Sequence, residues 1–322
     1  MLSSDLRHGA MRCWIRGKLE QLLFNVKEVV AVIFTDGVGQ PEGPVLLDDN
    51  SWLIVEMSPD RGCVTHISKD GKTKRVLAKT GRPNGLAVDK DGVIWVAESL
   101  EPSLLRMTMD GSYEVFLKEC NGEPFLFPND LIFGPDGLLY MTDSGIRAED
   151  FVKDGAIRPD YKEVEYSGSV YQIDVVKKKI RSIDTGIRFT NGLVFGPDNY
   201  LYVNETVTGN IYRYKWEEGG KTGPREFFGN VIDPEAPEGY KGPDGMKFGQ
   251  DGNLYVAVFG QGDITVLGKD GTAVRRIRLE GSKPTNCAFG PKGTKKLYVT
   301  EYGQGKLEIH DAGTDGFPLY TG

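Results

Sequence analysis

One short pattern recurs six times along this chain, and no other feature restricts the possible folds as much. Its clearest copies read PNGLAVDKDGVIWVAES from Pro83, PNDLIFGPDGLLYMTDS from Pro128, TNGLVFGPDNYLYVNET from Thr190 and PDGMKFGQDGNLYVAVF from Pro243. Weaker copies flank them, PEGPVLLDDNSWLIVEM from Pro41 and NCAFGPKGTKKLYVTEY from Asn286. Each copy has one physical reading: alternating apolar residues form a short strand, a GPDG-like or DKDG-like turn follows, and a second strand carries an aromatic or branched run. Glu42, Asn84, Asn129, Asn191 and Asp244 serve as reference positions in the first five copies. In the sixth, identity favours Asn286. The apolar register of Cys287 and Phe289 selects Thr285 instead, with two extra residues in the next turn. The intervals between references are 42, 45, 62, 53 and 41 residues. They leave room for two more strands per copy, the period of a propeller blade. The pattern therefore predicts an all-β fold, a six-bladed β-propeller with four-stranded blades, as a single domain over residues 28–322.

Composition agrees. Glycine contributes 42 of 322 residues, about twice the usual share, and it supplies the turns of many short strands. The segment Glu28 to Thr35 (EVVAVIFT) is strand-like and is expected to close the ring by pairing with the last blade. Upstream, Trp14, Leu19, Leu22, Leu23 and Val26 have helical spacing. This predicts a short N-terminal helix over residues 5–26 packed on the outside, within an extension spanning 1–27.

The net charge of −7 and the lack of basic stripes argue against nucleic acid as a partner. No run of 18 apolar residues occurs, so no membrane span is expected. Leu19 to Phe34 is interrupted by charges and lacks the form of a signal peptide. Cys13, Cys63, Cys120 and Cys287 are widely spaced, which fits a reducing compartment. Together these point to a cytoplasmic protein. Oligomeric state leaves no trace in the sequence.

A propeller brings equivalent residues of all blades to one height around its channel. The references Glu42, Asn84, Asn129, Asn191, Asp244 and Thr285 should therefore converge at one mouth. Asn-Gly and Asp-Gly are also turn dipeptides, so any one of them alone reads as structural. The set as a whole is less easily dismissed, because a turn does not need Glu42. Converging carboxylates raise each other's pKa unless a cation separates them. Two carboxylates with amide oxygens suit calcium first, then magnesium or manganese. With three histidines in the chain (His8, His66 and His310) and none beside a reference, zinc is the least suited alternative. The acids ending the second strands form a rival set: Glu56, Glu98, Asp143, Glu205 and Glu301, with Val258 in the fifth copy. Capping of turns is the simpler reading of those.

The motifs EGP at Glu42, PND at Asn129, TNGL at Asn191, GPDGM at Asp244 and PTNCAFG near Thr285 resemble those of the gluconolactonase and regucalcin (senescence marker protein) family. Diisopropyl-fluorophosphatase is a related member. The resemblance covers about residues 28–312. It implies one divalent cation held by Glu42, Asn191 and Asp244, with Asn129 as a further ligand or substrate contact. It also implies hydrolysis of a small lactone, with Asp244 as the catalytic residue. Sugar-lactonase members carry Arg in R-x-N-D, where this chain has Phe127-Pro128-Asn129-Asp130. Asn84, Asn129, Phe125 and Phe127 are therefore expected to line the substrate, and the lactone to be less polar than gluconolactone. Two alternatives stay open: a fluorophosphatase-like organophosphate hydrolase, and a propeller that binds calcium or another ligand without catalysis. The connections 146–168 and 234–241 are expected to set specificity at the mouth.

Overall fold

Short strands joined by tight turns make up nearly the whole computed structural model, which describes residues 31–153, 156–217 and 221–322. The helix expected over 5–26 and the first residues of the closing strand lie outside that range. Six antiparallel sheets follow one another, each with its first strand innermost. Blade 1 runs Pro41–Leu46, Trp52–Glu56, Cys63–Ile67 and Lys74–Lys79. Blade 2 runs Pro83–Val88, Ile94–Glu98, Ser103–Met107 and Tyr113–Leu117. Blade 3 runs Pro128–Phe133, Leu139–Asp143, Gly168–Asp174 and Lys179–Ile187. Blade 4 runs Thr190–Phe195, Tyr200–Glu205, Asn210–Glu217 and Glu226–Asn230, and blade 5 Gly242–Phe248, Leu254–Phe259, Asp263–Leu267 and Ala273–Arg278. Blade 6 takes three strands from the end of the chain, Pro284–Phe289, Lys296–Glu301 and Lys306–Asp311. Its outer strand is Val32–Asp36, paired Val32 to Ile309 and Asp36 to Lys306. The ring thus closes by the pairing expected for Glu28 to Thr35, and the strand runs one residue further. The six-bladed, four-stranded propeller is the observed fold.

The register of the inner hairpins repeats from blade to blade. The residue before each reference pairs with the residue at the equivalent place near the end of the second strand: Pro41 with Glu56, Pro83 with Glu98, Pro128 with Asp143, Thr190 with Glu205, Pro243 with Val258 and Pro284 with Glu301. Thr285 is therefore the sixth reference, as the apolar register requires. The ladder then shifts at a bulge in every blade. A bulge bends the strand and re-aims the side chains at it, here at the same height six times.

Between blades the core is apolar. The second-strand tyrosine of one blade meets the inner-strand phenylalanine of the next edge-on: Tyr140 and Phe195 at 5.0 Å, Tyr202 and Phe248 at 4.9 Å, Tyr255 and Phe289 at 5.2 Å. Such a pair contributes about 1 kcal/mol beyond burial. Each tyrosine hydroxyl donates to the aspartate of its own GPDG-like turn, as Tyr202 does to Asp198 at 2.7 Å. Gly196 is required there, since a Cβ would stand 2.8 Å from the Tyr202 ring. After blade 6 the chain crosses the far end of the channel. Phe317 N–H donates to Phe248 O at 2.8 Å, and Thr321 O accepts from Lys90 N–H at 2.6 Å. The described cysteines Cys63, Cys120 and Cys287 are buried and free, and no described helix is long and apolar enough to cross a membrane.

Candidate active site

The six reference residues sit where the inner strands begin, at one end of the channel. Glu42, Asn84, Asn129, Asn191 and Thr285 are buried, and Asp244 is half-buried. Three of the strand entrances are tied to the preceding blade. Thr142 Oγ1 donates to Asn191 O at 2.7 Å, Asn204 Nδ2 donates to Asp244 O, and Thr285 Oγ1 donates to Pro41 O at 2.8 Å. Asn129 Nδ2 donates to Ser144 Oγ at 2.9 Å, and that hydroxyl donates onward to Thr190 O at 2.9 Å.

The position after the reference decides what fills the channel axis. It is glycine in blades 1, 2, 4 and 5, Asp130 in blade 3 and Asn286 in blade 6. The glycines make room for their neighbours. A Cβ on Gly245 would lie 1.8 Å from Asn286 Cγ, and one on Gly85 would lie 2.6 Å from Asp130 Cα. Asp130 and Asn286 are anchored alike, each N–H donating to a second-strand threonine, Thr142 or Thr300, at 3.0 Å. The Asn286 amide favours the charged form of both Glu42 and Asp130.

The electrostatics follow. Burial first, then Asp130 and Asp244, push the Glu42 carboxyl well above its ordinary range. Asp244 is pushed well up by burial and by Asp130, while the Asn191 amide and the distant Arg82 work in the other direction. Burial also raises Asp130, against the pull of Lys247. Four buried oxygens have no hydrogen-bond partner among the described residues at this height: Glu42 Oε2, Asn191 Oδ1, Asn204 Oδ1 and Asp130 Oδ2. An unpaired buried acceptor costs about 1–3 kcal/mol, so a cluster of four signals a cationic or donor guest.

The strand-end acids behave differently. Each is consumed by backbone donors of its own blade. Glu56 accepts from Gly39 N–H at 2.7 Å, Glu98 from Arg82 N–H at 2.6 Å, Asp143 from Leu126 and Phe127 N–H at 2.8 and 3.0 Å, Glu205 from Arg188 N–H at 2.8 Å and Glu301 from Lys283 N–H at 3.0 Å. They fix the loops that deliver the reference residues.

The long connections meet over the mouth. The 146–168 connection carries a short helix, Ala148–Phe151, and a hairpin of Val152–Lys153 with Ala156–Ile157. Tyr161 and Phe151 lie 4.9 and 5.8 Å from Tyr240 of the other connection. Phe127 belongs to this lip, 5.8 Å from Phe189. Its ring is covered by the Arg82 guanidinium, 5.0 Å from the centroid. Phe125 does not join the group. It is buried against Tyr171 at 5.3 Å in the core beside blade 3. A cavity of about 960 Å³ opens beside the lip, lined by Gln40, Arg61, Tyr240, Lys283 and Tyr302 among others. On the far side of Asp130 and Asn286 the channel widens to about 990 Å³, closed by the C-terminal segment.

The family model for the SMP-30/gluconolactonase/LRE-like region matches residues 41–303, from blade 1 to blade 6. The chain belongs to this family.

Among its family relatives are a gluconolactonase of Zymomonas mobilis, 27% identical over 86% of this chain and 80% of that one, and the diisopropyl-fluorophosphatase of Loligo vulgaris, 29% identical over 83% and 87%. The fold superposes on regucalcin from Agrobacterium tumefaciens, a calcium-binding protein, with a TM-score of 0.70 at 18% identity over 91% of this chain and 98% of that one.

The family's implied cation fits the residues present. Among the described residues no three His, Cys, Asp or Glu side chains stand together as a metal group. The donors here are of another kind: the two carboxylates of Glu42 and Asp244 with amide oxygens, and two of those donors, Glu42 Oε2 and Asn191 Oδ1, are orphaned. Sequence reasoning missed Asp130, Asn286, Asn204, Lys247, Tyr240 and Arg82. Asp130 and Asn286 were detectable as the two exceptions to a glycine column. Asn204 holds the second-strand position of Thr142 and Thr300, Lys247 stands three residues after its reference and Arg82 two before its own. Their register is that of the repeat, and only their chemistry departs from it. Tyr240 belongs to a connection outside the repeat.

Proposed function

We propose that this protein is a divalent-cation-dependent hydrolase of a small lactone. The supporting observation is the buried cluster at the mouth, where Glu42 and Asp244, both pushed well up by burial and by Asp130, stand among amide oxygens without partners. Glu42, Asn191 and Asp244, with Asn129, would hold the cation, calcium before magnesium, manganese or zinc. When bound, the ion would supply positive charge at the lactone carbonyl oxygen. Asp244 keeps part of its surface toward the channel and accepts the proton of the attacking water. Water oxygen bonds to the carbonyl carbon, the ring C–O bond breaks, and the proton returns to the departing alkoxide. Ser144 orients the Asn129 amide, and Asn191 lies against Asp244. Asn84 completes the polar rim, and the aromatic lip of Phe127, Phe189 and Tyr240 favours a lactone ring with fewer hydroxyls than gluconolactone.

The test is a panel of lactones and fluorophosphates, assayed with defined divalent cations on the wild type and Asp244→Asn. Lactone turnover lost in the variant supports the reading. Turnover of fluorophosphates alone would establish the second reading, which the 29% identity to diisopropyl-fluorophosphatase favours. Cation binding without turnover of either class would leave a binding protein.

A further inference from the structure

The hydrolysis described above leaves one cation at the mouth without a task. Arg82 ends the loop that enters the inner strand of blade 2. Its N–H donates to Glu98 Oε1 at 2.6 Å, its carbonyl accepts from Ser99 N–H at 3.0 Å and from Ser99 Oγ at 2.8 Å, and its Nη1 donates to Ser99 Oγ at 2.8 Å. The backbone and one donor are thereby pinned. The residue is half-buried, and its guanidinium carbon stands 5.0 Å from the centre of the Phe127 ring. A guanidinium has five N–H donors in a planar fork. Among the described residues the Ser99 hydroxyl is the one acceptor of this fork, and no carboxylate stands within 4.0 Å of it. Arg158, Arg213, Arg225, Arg276 and Arg278 contrast with it, since each pairs with an Asp or Glu. Burial works against the charge on Arg82 and lowers its pKa, with Tyr302, Glu98 and Asp244 acting the other way at longer range. A half-buried, oriented cation without a carboxylate partner, within electrostatic reach of Asp244, is a site for an anion. The cavity beside the lip carries Lys283 and Arg61 with Asp60, and Arg61 is paired with Glu56 at 3.4 Å.

We propose that Arg82 sets substrate specificity by receiving a carboxylate on the lactone, so that the substrate class is a lactone of a hydroxy-dicarboxylic acid. The planar fork binds a planar carboxylate through two parallel bonds, while the ring of the same substrate reaches the Glu42–Asp244 cluster. This inference rests on the hydrolase reading above. It requires an apolar ring with one charged handle, in place of the hydroxyl-rich ring of a sugar lactone.

The experiment compares γ-butyrolactone, γ-carboxy-γ-butyrolactone and a phosphorylated aldonolactone on the wild type, Arg82→Lys and Arg82→Gln. The wild type should favour the carboxylated lactone over the neutral one by about tenfold or more in kcat/KM, carried by KM, the effect of one charge-assisted contact. Arg82→Gln should abolish that preference. Arg82→Lys, which keeps the charge but not the fork, should retain part of it, and it answers for Arg82→Gln if the latter fails to fold. An undiminished preference in either variant overturns the proposal, as does a wild-type preference for the neutral or the phosphorylated lactone. If no lactone is turned over, the hydrolase reading fails separately. Calorimetric titration with 2-hydroxyglutarate then decides on Arg82: binding weakened about tenfold in Arg82→Gln supports carboxylate recognition, and absence of binding overturns it.

Discussion

Glu42 of blade 1 and Asp244 of blade 5 are both pushed well up by burial, more than Asn286, Lys247, Asn191 and Arg82 offset, and this pair governs what single substitutions do. Asp244→Asn should lower kcat by about 10²–10⁴-fold, the usual contribution of a positioned general base, while thermal unfolding shows the fold retained. Glu42→Gln removes one of two carboxylates from a hard-cation shell. Calcium affinity measured by titration calorimetry should fall about tenfold or more, equivalent to 1.4 kcal/mol. Gly245→Ala tests the glycine column. Its methyl would occupy the place of the Asn286 side chain, so both stability and cation affinity should drop. Unchanged affinity would show that Asn286 has no part in shaping Glu42.

Blade closure and the strand ends carry the element-scale consequences. Phe34 of the closing strand packs on Tyr298 at 5.0 Å and Trp52 at 6.0 Å, joining blade 6 to blade 1. Phe34→Ala should cost about 2 kcal/mol for this partly buried ring and expose the Lys306–Asp311 edge. Denaturant midpoints and size-exclusion profiles report both. On that neighbouring strand Glu308 is fully buried. Burial opposes its charge, but the hydrogen bond with His310 at 2.8 Å and the ion pair with Lys306 at 3.0 Å more than offset this and hold its carboxyl below the ordinary range. A depressed carboxylate contributes stability above its unfolded pKa, about 4.3, and that contribution is lost as pH falls through the folded value. Glu308→Gln should therefore be less stable than wild type at pH 7, and the gap should close below about pH 4. A gap that persists in acid would assign the effect to packing.

At the scale of the molecule, the site is assembled from blades 1, 3, 4 and 5, so a guest there cross-links the ring. Binding to the native state alone stabilises by about 2.7 kcal/mol at a ligand concentration a hundred times Kd. Chelator treatment should lower the unfolding temperature and calcium should restore it, with a smaller shift in Glu42→Gln at the same calcium concentration. The aromatic lip joins the 146–168 and 234–241 connections through Tyr161, Phe151 and Tyr240. Tyr240→Ala should leave the blades intact and alter KM across a lactone series, because it removes the contact that holds the two connections together.

Much of this was legible in the chain. The repeat by itself determined the number of blades, the inner-strand register down to the choice of Thr285 over Asn286, and the ring closure from the N-terminal side. These follow from local spacing, since a strand slipped by one residue turns every apolar side chain to the wrong face. The convergence of Glu42, Asn129, Asn191 and Asp244 at one height follows from the same symmetry. Tertiary structure alone decided what stands between them. Thr285 holds the correct register yet spends its hydroxyl on Pro41, while Asn286 beside it reaches Glu42. Phe125 and Phe127 look alike in sequence, but one fills the core and the other lies under Arg82 from another blade. Contacts across the channel and between blades join residues with no sequence relation to one another, so no local period can encode them.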